Sequence, residues 1–150
     1  MGSSLSNLLY HIVFSTKMRM EFITPELARE LYPYIGGIIR DEKGILLNIG
    51  GMANHLHLLA KFHPTASVSN MLQQIKGSSS KWINDGRRAP GYFAWQAGYA
   101  AFSVSISSVG KIAQYIETQA EHHQKKTFQQ ELVAFLQAHK IAYDERYIWD

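Results

Sequence analysis

The chain of 150 residues contains no cysteine. That absence excludes a disulfide scaffold, a thiolate zinc site, an iron–sulfur cluster and a cysteine nucleophile. Long apolar runs are also lacking, and none approaches the roughly 20 residues that a membrane helix needs. The start MGSSLSNLLYHIVFSTK has no basic n-region and no long apolar h-region, so no signal peptide is expected. Cytoplasmic residence is the default expectation. Linkers, low-complexity tracts and internal repeats are missing, and one compact unit spanning 1–150 is expected. Charged residues make up only 18%, against 46% hydrophobic ones, which is enough to build a core and excludes global disorder.

Net charge is +3 and unevenly spread: residues 1–109 hold 10 Lys/Arg against 6 Asp/Glu, residues 110–150 hold 5 against 6. A mildly basic body suits a polyanion without demanding one.

Tyr10 to Thr16 is β-branched and aromatic and reads as a strand. Thr24-Pro25-Glu26 opens a helix, with Leu27, Leu31, Tyr34, Ile35 and Ile38 at helical spacing. Gly36-Gly37 inside it marks either close approach of another backbone or a kink. Ile45–Ile49 and His55–Phe62 read as an antiparallel pair joined through residues 50–54. Ser67 opens a second helix that Asp85-Gly86 closes, with Val68, Met71, Leu72, Ile75, Ser79 and Trp82 on one side. Tyr92 to Ser105 reads as two short strands or one bent strand. Ser107 or Ser108 caps a third helix running to about His123. Thr127-Phe128-Gln129-Gln130 is a capping-box pattern for a fourth, with Leu132, Phe135 and Leu136 inward. The tail from Ile141 is expected to pack its aromatic residues. The order β-α-β-β-α-β, followed by helices, predicts a ferredoxin-like α+β fold with helices on one sheet face and the other face free to bind.

Two stretches carry candidate chemistry. In His55-Leu56-His57 the alternation of a strand sends both imidazoles to one face, about 6.6–7 Å apart at Cα, where they can converge on a metal ion. His-x-His also arises by chance. In the third helix Tyr115 and Gln119 stand at i and i+4 and share a face. The plain alternative there is an amphipathic helix with a tyrosine at the core margin, since Val109, Ile112, Ile116 and Ala120 form an apolar stripe beside it.

A strand His-x-His, a downstream Tyr-x-x-x-Gln and a ferredoxin-like sheet together resemble the HUH endonucleases, U being the bulky Leu56. Within them the chain resembles the small single-tyrosine transposases of bacterial insertion sequences, the IS200-like group. LLYHIVFSTK, YIGGIIR, IGGMANHLHLLAKF, IKGSSSKW, GYFAWQAGYAAFSVS, YIETQAEHH and YDERYIWD carry that resemblance in order over nearly the whole chain. It implies a DNA transposase that cleaves and rejoins single-stranded DNA with hairpin ends, as a homodimer. Tyr115 would be the nucleophile, giving a 5′-phosphotyrosine intermediate. His55, His57 and Gln119 would be ligands of a divalent metal, Mg²⁺ or Mn²⁺. Imidazole by itself also suits zinc.

Lys17, Arg19, Arg40, Lys76, Lys81, Arg87 and Arg88 are candidate phosphate contacts, with hydroxyls of Ser78, Ser79 and Ser80; solvated surface charge is the alternative for each. Trp82, Tyr92, Phe93, Trp95 and Tyr99 are candidates for stacking on bases, or for the core or a dimer interface. His122 is a candidate proton-transfer group or a helix C-terminal cation. His11, His63 and His139 have no constellation around them. The apolar segment Tyr92–Ser105 is the expected dimer surface, which would allow active sites shared between subunits. Competing readings are a noncatalytic or domesticated single-stranded nucleic-acid-binding protein of the same fold, and an HUH enzyme of replication or plasmid transfer.

Overall fold

The computed structural model describes residues 2–3 and 5–149. Asp150, the last residue of YDERYIWD, lies outside them. The strands are β1 (Leu9–Ser15), β2 (Ile45–Met52), β3 (His55–Lys61) and β4 (Ala100–Val104). The helices are α1 (Pro25–Asp41), α2 (Val68–Asp85), α3 (Val109–Glu117), α4 (Gln119–His122) and α5 (Phe128–Ala138). Two short 3₁₀ turns, Lys17–Arg19 and Ile106–Ser108, precede α1 and α3.

The sheet order is β2-β3-β1-β4, all neighbours antiparallel, which is the ferredoxin-like arrangement. Strand alternation divides its side chains. Ile12, Phe14, Leu56, Leu58 and Ala60 turn to α1 and α2 and form the main core with Leu27, Leu31, Ile35, Leu72 and Ile75. On the other face Val13 and Phe102 pack beneath Phe128, Leu132 and Leu136 of α5, with Tyr143, Ile148 and Trp149 of the tail against the same cluster. That second face is therefore covered, not free as expected. The helices after β4 carry enough apolar surface to close it, and His55 and His57 beneath them are fully buried.

The caps follow from the sequence. Thr24 Oγ1 accepts from Leu27 N, Ser67 Oγ from Asn70 N, and Thr127 forms a reciprocal capping box with Gln130. Ser107 and Ser108 do not cap α3: their hydroxyls bond to that of Ser105 instead. The third helix is also broken before His123. Thr118 adopts φ −106°, ψ 30°, its hydroxyl donating back to the Gln114 carbonyl at 2.9 Å, and α4 begins beyond it. Ala120 accordingly lies exposed, outside the expected stripe.

β2 runs on through Gly50 and Gly51, so the hairpin turn shrinks to Ala53-Asn54. Close backbone approach occurs at Gly50 rather than in α1. A Cβ at Gly50 would meet the Ile116 carbonyl oxygen at 2.5 Å, whereas one at Gly36 would make ordinary contact with Leu46. α1 passes Gly36-Gly37 as one continuous helix. In Tyr92–Ser105 only β4 and a single bridge from Trp95 to Thr16 are extended pairings. Phe93, Trp95 and Phe102 are spent on the chain's own core, so that segment is not the open apolar surface the sequence implied.

Candidate active site

The site is built on the middle of the sheet. β3 pairs His57 with Val13 of β1 and with Gly50 of β2, and His55 with Ser15 and Met52. Because Gly50 has no side chain, the α3 backbone settles on β2 at Ile116. The adjacent Tyr115 then stands over His57, ring centroids 5.8 Å apart, within the same chain.

α5 brings the group that the sequence reading missed. Glu131 is 1% exposed and its Oε1 lies 2.9 Å from His57 Nε2 and 3.4 Å from His55 Nε2. Its Oε2 accepts the Tyr115 hydroxyl hydrogen and, at 3.3 Å, a hydrogen from Gln119 Nε2. Gln119 Oε1 in turn lies 3.0 Å from His55 Nε2. His55, His57, Tyr115 and Gln119, named from sequence, are thus brought together, and Glu131 is their common neighbour.

The far nitrogens of the histidines are engaged as well. His55 Nδ1 donates to Asn54 Oδ1 at 2.7 Å. His57 Nδ1 lies 2.8 Å from Nε2 of buried His11, a residue to which the sequence assigned nothing. Such partners fix which ring nitrogen faces inward. The ligand atoms of His55, His57 and Glu131 all lie within 4.8 Å of one another, and two imidazoles with a carboxylate are a suitable donor set for a divalent ion. These residues fit a metal.

Electrostatics follow from burial and pairing. Burial alone would raise the Glu131 carboxyl, but the imidazoles of His55 and His57 and the Tyr115 hydroxyl outweigh it and hold it well below the usual carboxylate range. Burial, then the hydrogen bond to Glu131 and its negative charge, push the Tyr115 phenol well above its ordinary value. Burial lowers His57 against the opposing pull of Glu131, and burial with neighbouring His57 takes His11 down to about 3. His122 stacks on Tyr115 with centroids 4.1 Å apart, its Nε2 lying 3.1 Å from Thr118 Oγ1.

The candidate phosphate contacts do not gather here. Lys76, Lys81, Arg87 and Arg88 lie on or just after α2, and Arg40 ends α1, in the layer behind the sheet. Lys76 Nζ donates to the carbonyls of Gln96 and Gly98 at 3.1 and 2.6 Å, and burial lowers its pKa to about 8. Lys81 pairs with Asp85, and Arg88 donates to the Trp82 carbonyl while lying over that ring. Ser79 is buried and accepts from Trp95 Nε1 at 2.9 Å. Of the stacking candidates, Phe93 and Trp95 are core, Trp82 stacks on Tyr34, and Tyr92 and Tyr99 are exposed. Lys17 is exposed and Arg19 lies over Trp149 of the tail.

Beside the buried cluster a cleft of about 530 Å³ opens between the β2–β3 turn and the α4–α5 connection, lined by Asn54, His123, Lys125, Lys126 and Phe128 among others. Of its lining, Asn54, His123 and Phe128 touch His55 of the cluster.

Residues 4–119 match the sequence model of a family described as "Transposase IS200 like". The transposase for insertion sequence element IS200 of Salmonella typhimurium is 32% identical over 124 residues, 77% of this chain and 78% of that protein. The crystal structure of a candidate transposase from Deinococcus radiodurans R1 superposes with a TM-score of 0.62 at 25% identity, covering 79% of this chain and 96% of that one. A REP-associated tyrosine transposase, solved bound to a REP hairpin, gives a TM-score of 0.61 at 12% identity over 82% of this chain and 74% of its own, a likeness of fold.

Proposed function

The chain belongs to the IS200-like transposase family, and on that footing we propose that it cuts and rejoins single-stranded DNA through Tyr115 with a divalent metal, Mg²⁺ or Mn²⁺, bound beside it. The observation that carries this reading is the Tyr115 hydroxyl, hydrogen-bonded to Glu131 in the cluster that holds His55 and His57.

His55, His57 and Glu131 would hold the metal, with the amide oxygen of Gln119 as a further ligand. When bound, the metal neutralises charge on a non-bridging phosphate oxygen and orients the scissile bond. The chain's own groups do the rest. With its phenol held above the ordinary value, Tyr115 keeps its proton at rest, so the proton must leave during attack. Glu131 Oε2 already accepts that hydrogen and is placed to receive it. The new bond is Tyr115 Oη to phosphorus. The bond that breaks is phosphorus to the 3′ oxygen, which leaves with the electron pair and takes up a proton. A 5′-phosphotyrosine and a free 3′-OH result. The covalent link conserves the phosphodiester, so a second 3′-OH can displace Tyr115 and rejoin strands.

The substrate we propose is single-stranded DNA flanked by hairpins, acted on by a homodimer in the cytoplasm. The net charge of +3 and Lys125 and Lys126 along the cleft support an anionic ligand. Among the described residues no helix is long and apolar enough to cross a membrane.

The test is covalent capture. Labelled single-stranded hairpin DNA incubated with the protein and Mn²⁺, then denatured, should yield a shifted band, and Tyr115→Phe should abolish it while leaving DNA affinity intact. A Phe variant that still forms the adduct would mean that another residue is the nucleophile.

A further inference from the structure

A third imidazole, beyond the His-x-His pair, turns a nitrogen to Glu131. His123 lies just past α4, and its Nε2 is 3.4 Å from Glu131 Oε1 and 3.1 Å from Gln119 Oε1. Its Nδ1 lies 2.9 Å from the Lys126 carbonyl oxygen. A carbonyl oxygen only accepts, so Nδ1 carries the hydrogen and the neutral ring presents a bare lone pair at Nε2. The two oxygens it faces are acceptors as well. Gln119 is held with its oxygen on that side, because its Nε2 donates to Glu131 Oε2 and to the Tyr115 carbonyl.

His55 faces the same two oxygens: its Nε2 lies 3.0 Å from Gln119 Oε1 and 3.4 Å from Glu131 Oε1. Two imidazole nitrogens therefore converge on the same two oxygens. A divalent cation is the species that accepts electron pairs from such nitrogen and oxygen donors.

We propose that His123 is a third imidazole ligand of the metal site, binding through Nε2 on the cleft side of His55, His57 and Glu131. The inference rests on the metal reading above. Each of the three imidazoles then has its far nitrogen tied to a neighbour: Asn54 for His55, His11 for His57, the Lys126 carbonyl for His123. His122, one residue earlier, points to Thr118 and stays outside the cluster. His123 also lines the cleft.

The test reads metal binding, not activity. Pulsed EPR of the full chain loaded with Mn²⁺ should show nitrogen couplings from three imidazoles. In His123→Asn the count should fall to two, and the Mn²⁺ dissociation constant should rise about 10- to 100-fold. His63→Asn, at a half-buried histidine away from the cluster whose side chain bonds to Thr65, should change neither. The count in the unsubstituted chain needs no variant to fold. Two couplings there, with binding lost in His57→Ala but unchanged in His123→Asn, overturn the proposal and leave the metal reading standing. An unsubstituted chain that binds no Mn²⁺ overturns both.

Discussion

The Tyr115 hydroxyl donates its hydrogen to Glu131, a carboxylate 16 residues further on that is buried between His55 and His57. The bond joins the proposed nucleophile to the proposed metal ligands. Glu131→Gln keeps the shape but removes the charge and the proton acceptor. Adduct formation should slow by about 10²–10⁴-fold, the usual range for a lost general base. The rate of the covalent band, measured with secondary structure checked by circular dichroism, decides it; a rate within threefold of the parent would remove Glu131 from the chemistry.

Metal removal should be as damaging as loss of the ligands. EDTA and His57→Ala should each abolish cleavage. Gln119→Ala should be milder, about tenfold, because a neutral amide oxygen is a weak ligand that water replaces. Gel assays across a Mn²⁺ titration separate these effects, and full activity in EDTA would end the metal mechanism.

Tyr115 lies beside the histidines of its own chain, with its ring centroid 5.8 Å from that of His57. If the active protein is a homodimer built this way, mixing Tyr115→Phe with His57→Ala protein should recover no cleavage, since every mixed site lacks one group. Recovery would show that the tyrosine crosses to the partner. Sedimentation at micromolar concentration checks the dimer itself.

Acid should destabilise the fold through its buried imidazoles. His11 stays neutral in the folded chain down to about 3 but takes a proton near 6.5 once unfolded. The unfolded state is the better proton binder in between, so stability is complete above 6.5 and falls as pH drops toward 3, by about 1.4 kcal/mol per pH unit for one such group. Glu131, also depressed, acts in the same direction at lower pH. Urea midpoints between pH 7.5 and 4 should decline, and His11→Asn should flatten that slope. An unchanged slope would mean that His11 is not the group responsible.

Gly50 is a packing requirement. In Gly50→Ala the new methyl would collide with the Ile116 carbonyl, a backbone atom that cannot rotate away. A loss of about 1–3 kcal/mol in denaturant unfolding is expected. Cleavage should fall further than stability, since α3 carries Tyr115. An unaltered unfolding midpoint would show that α3 yields freely.

Local features were legible in the sequence. Thr24, Ser67 and Thr127 cap the helices they were read to cap, because a cap depends on residues two or three positions away. His55 and His57 share a face because strand alternation is a local rule. The covered second face, Glu131 and His11 were not legible. In sequence Glu131 was an ordinary acid in the first turn of α5, beside the inward Leu132, and His11 was one histidine in a strand. Its bond to His57 spans 46 residues, and that from His57 to Glu131 spans 74.

The sequence by itself determined the first three strands, the first two helices and α5, the order of these elements and the motif residues, since each follows from spacing along the chain. Only the tertiary structure decided which carboxylate meets the histidines and that α3–α5 close the second face. Those outcomes depend on how α3 seats on Gly50 and how α5 packs its leucines on Val13 and Phe102. Such docking is fixed by shape and burial between distant segments, and no periodicity within either segment records it.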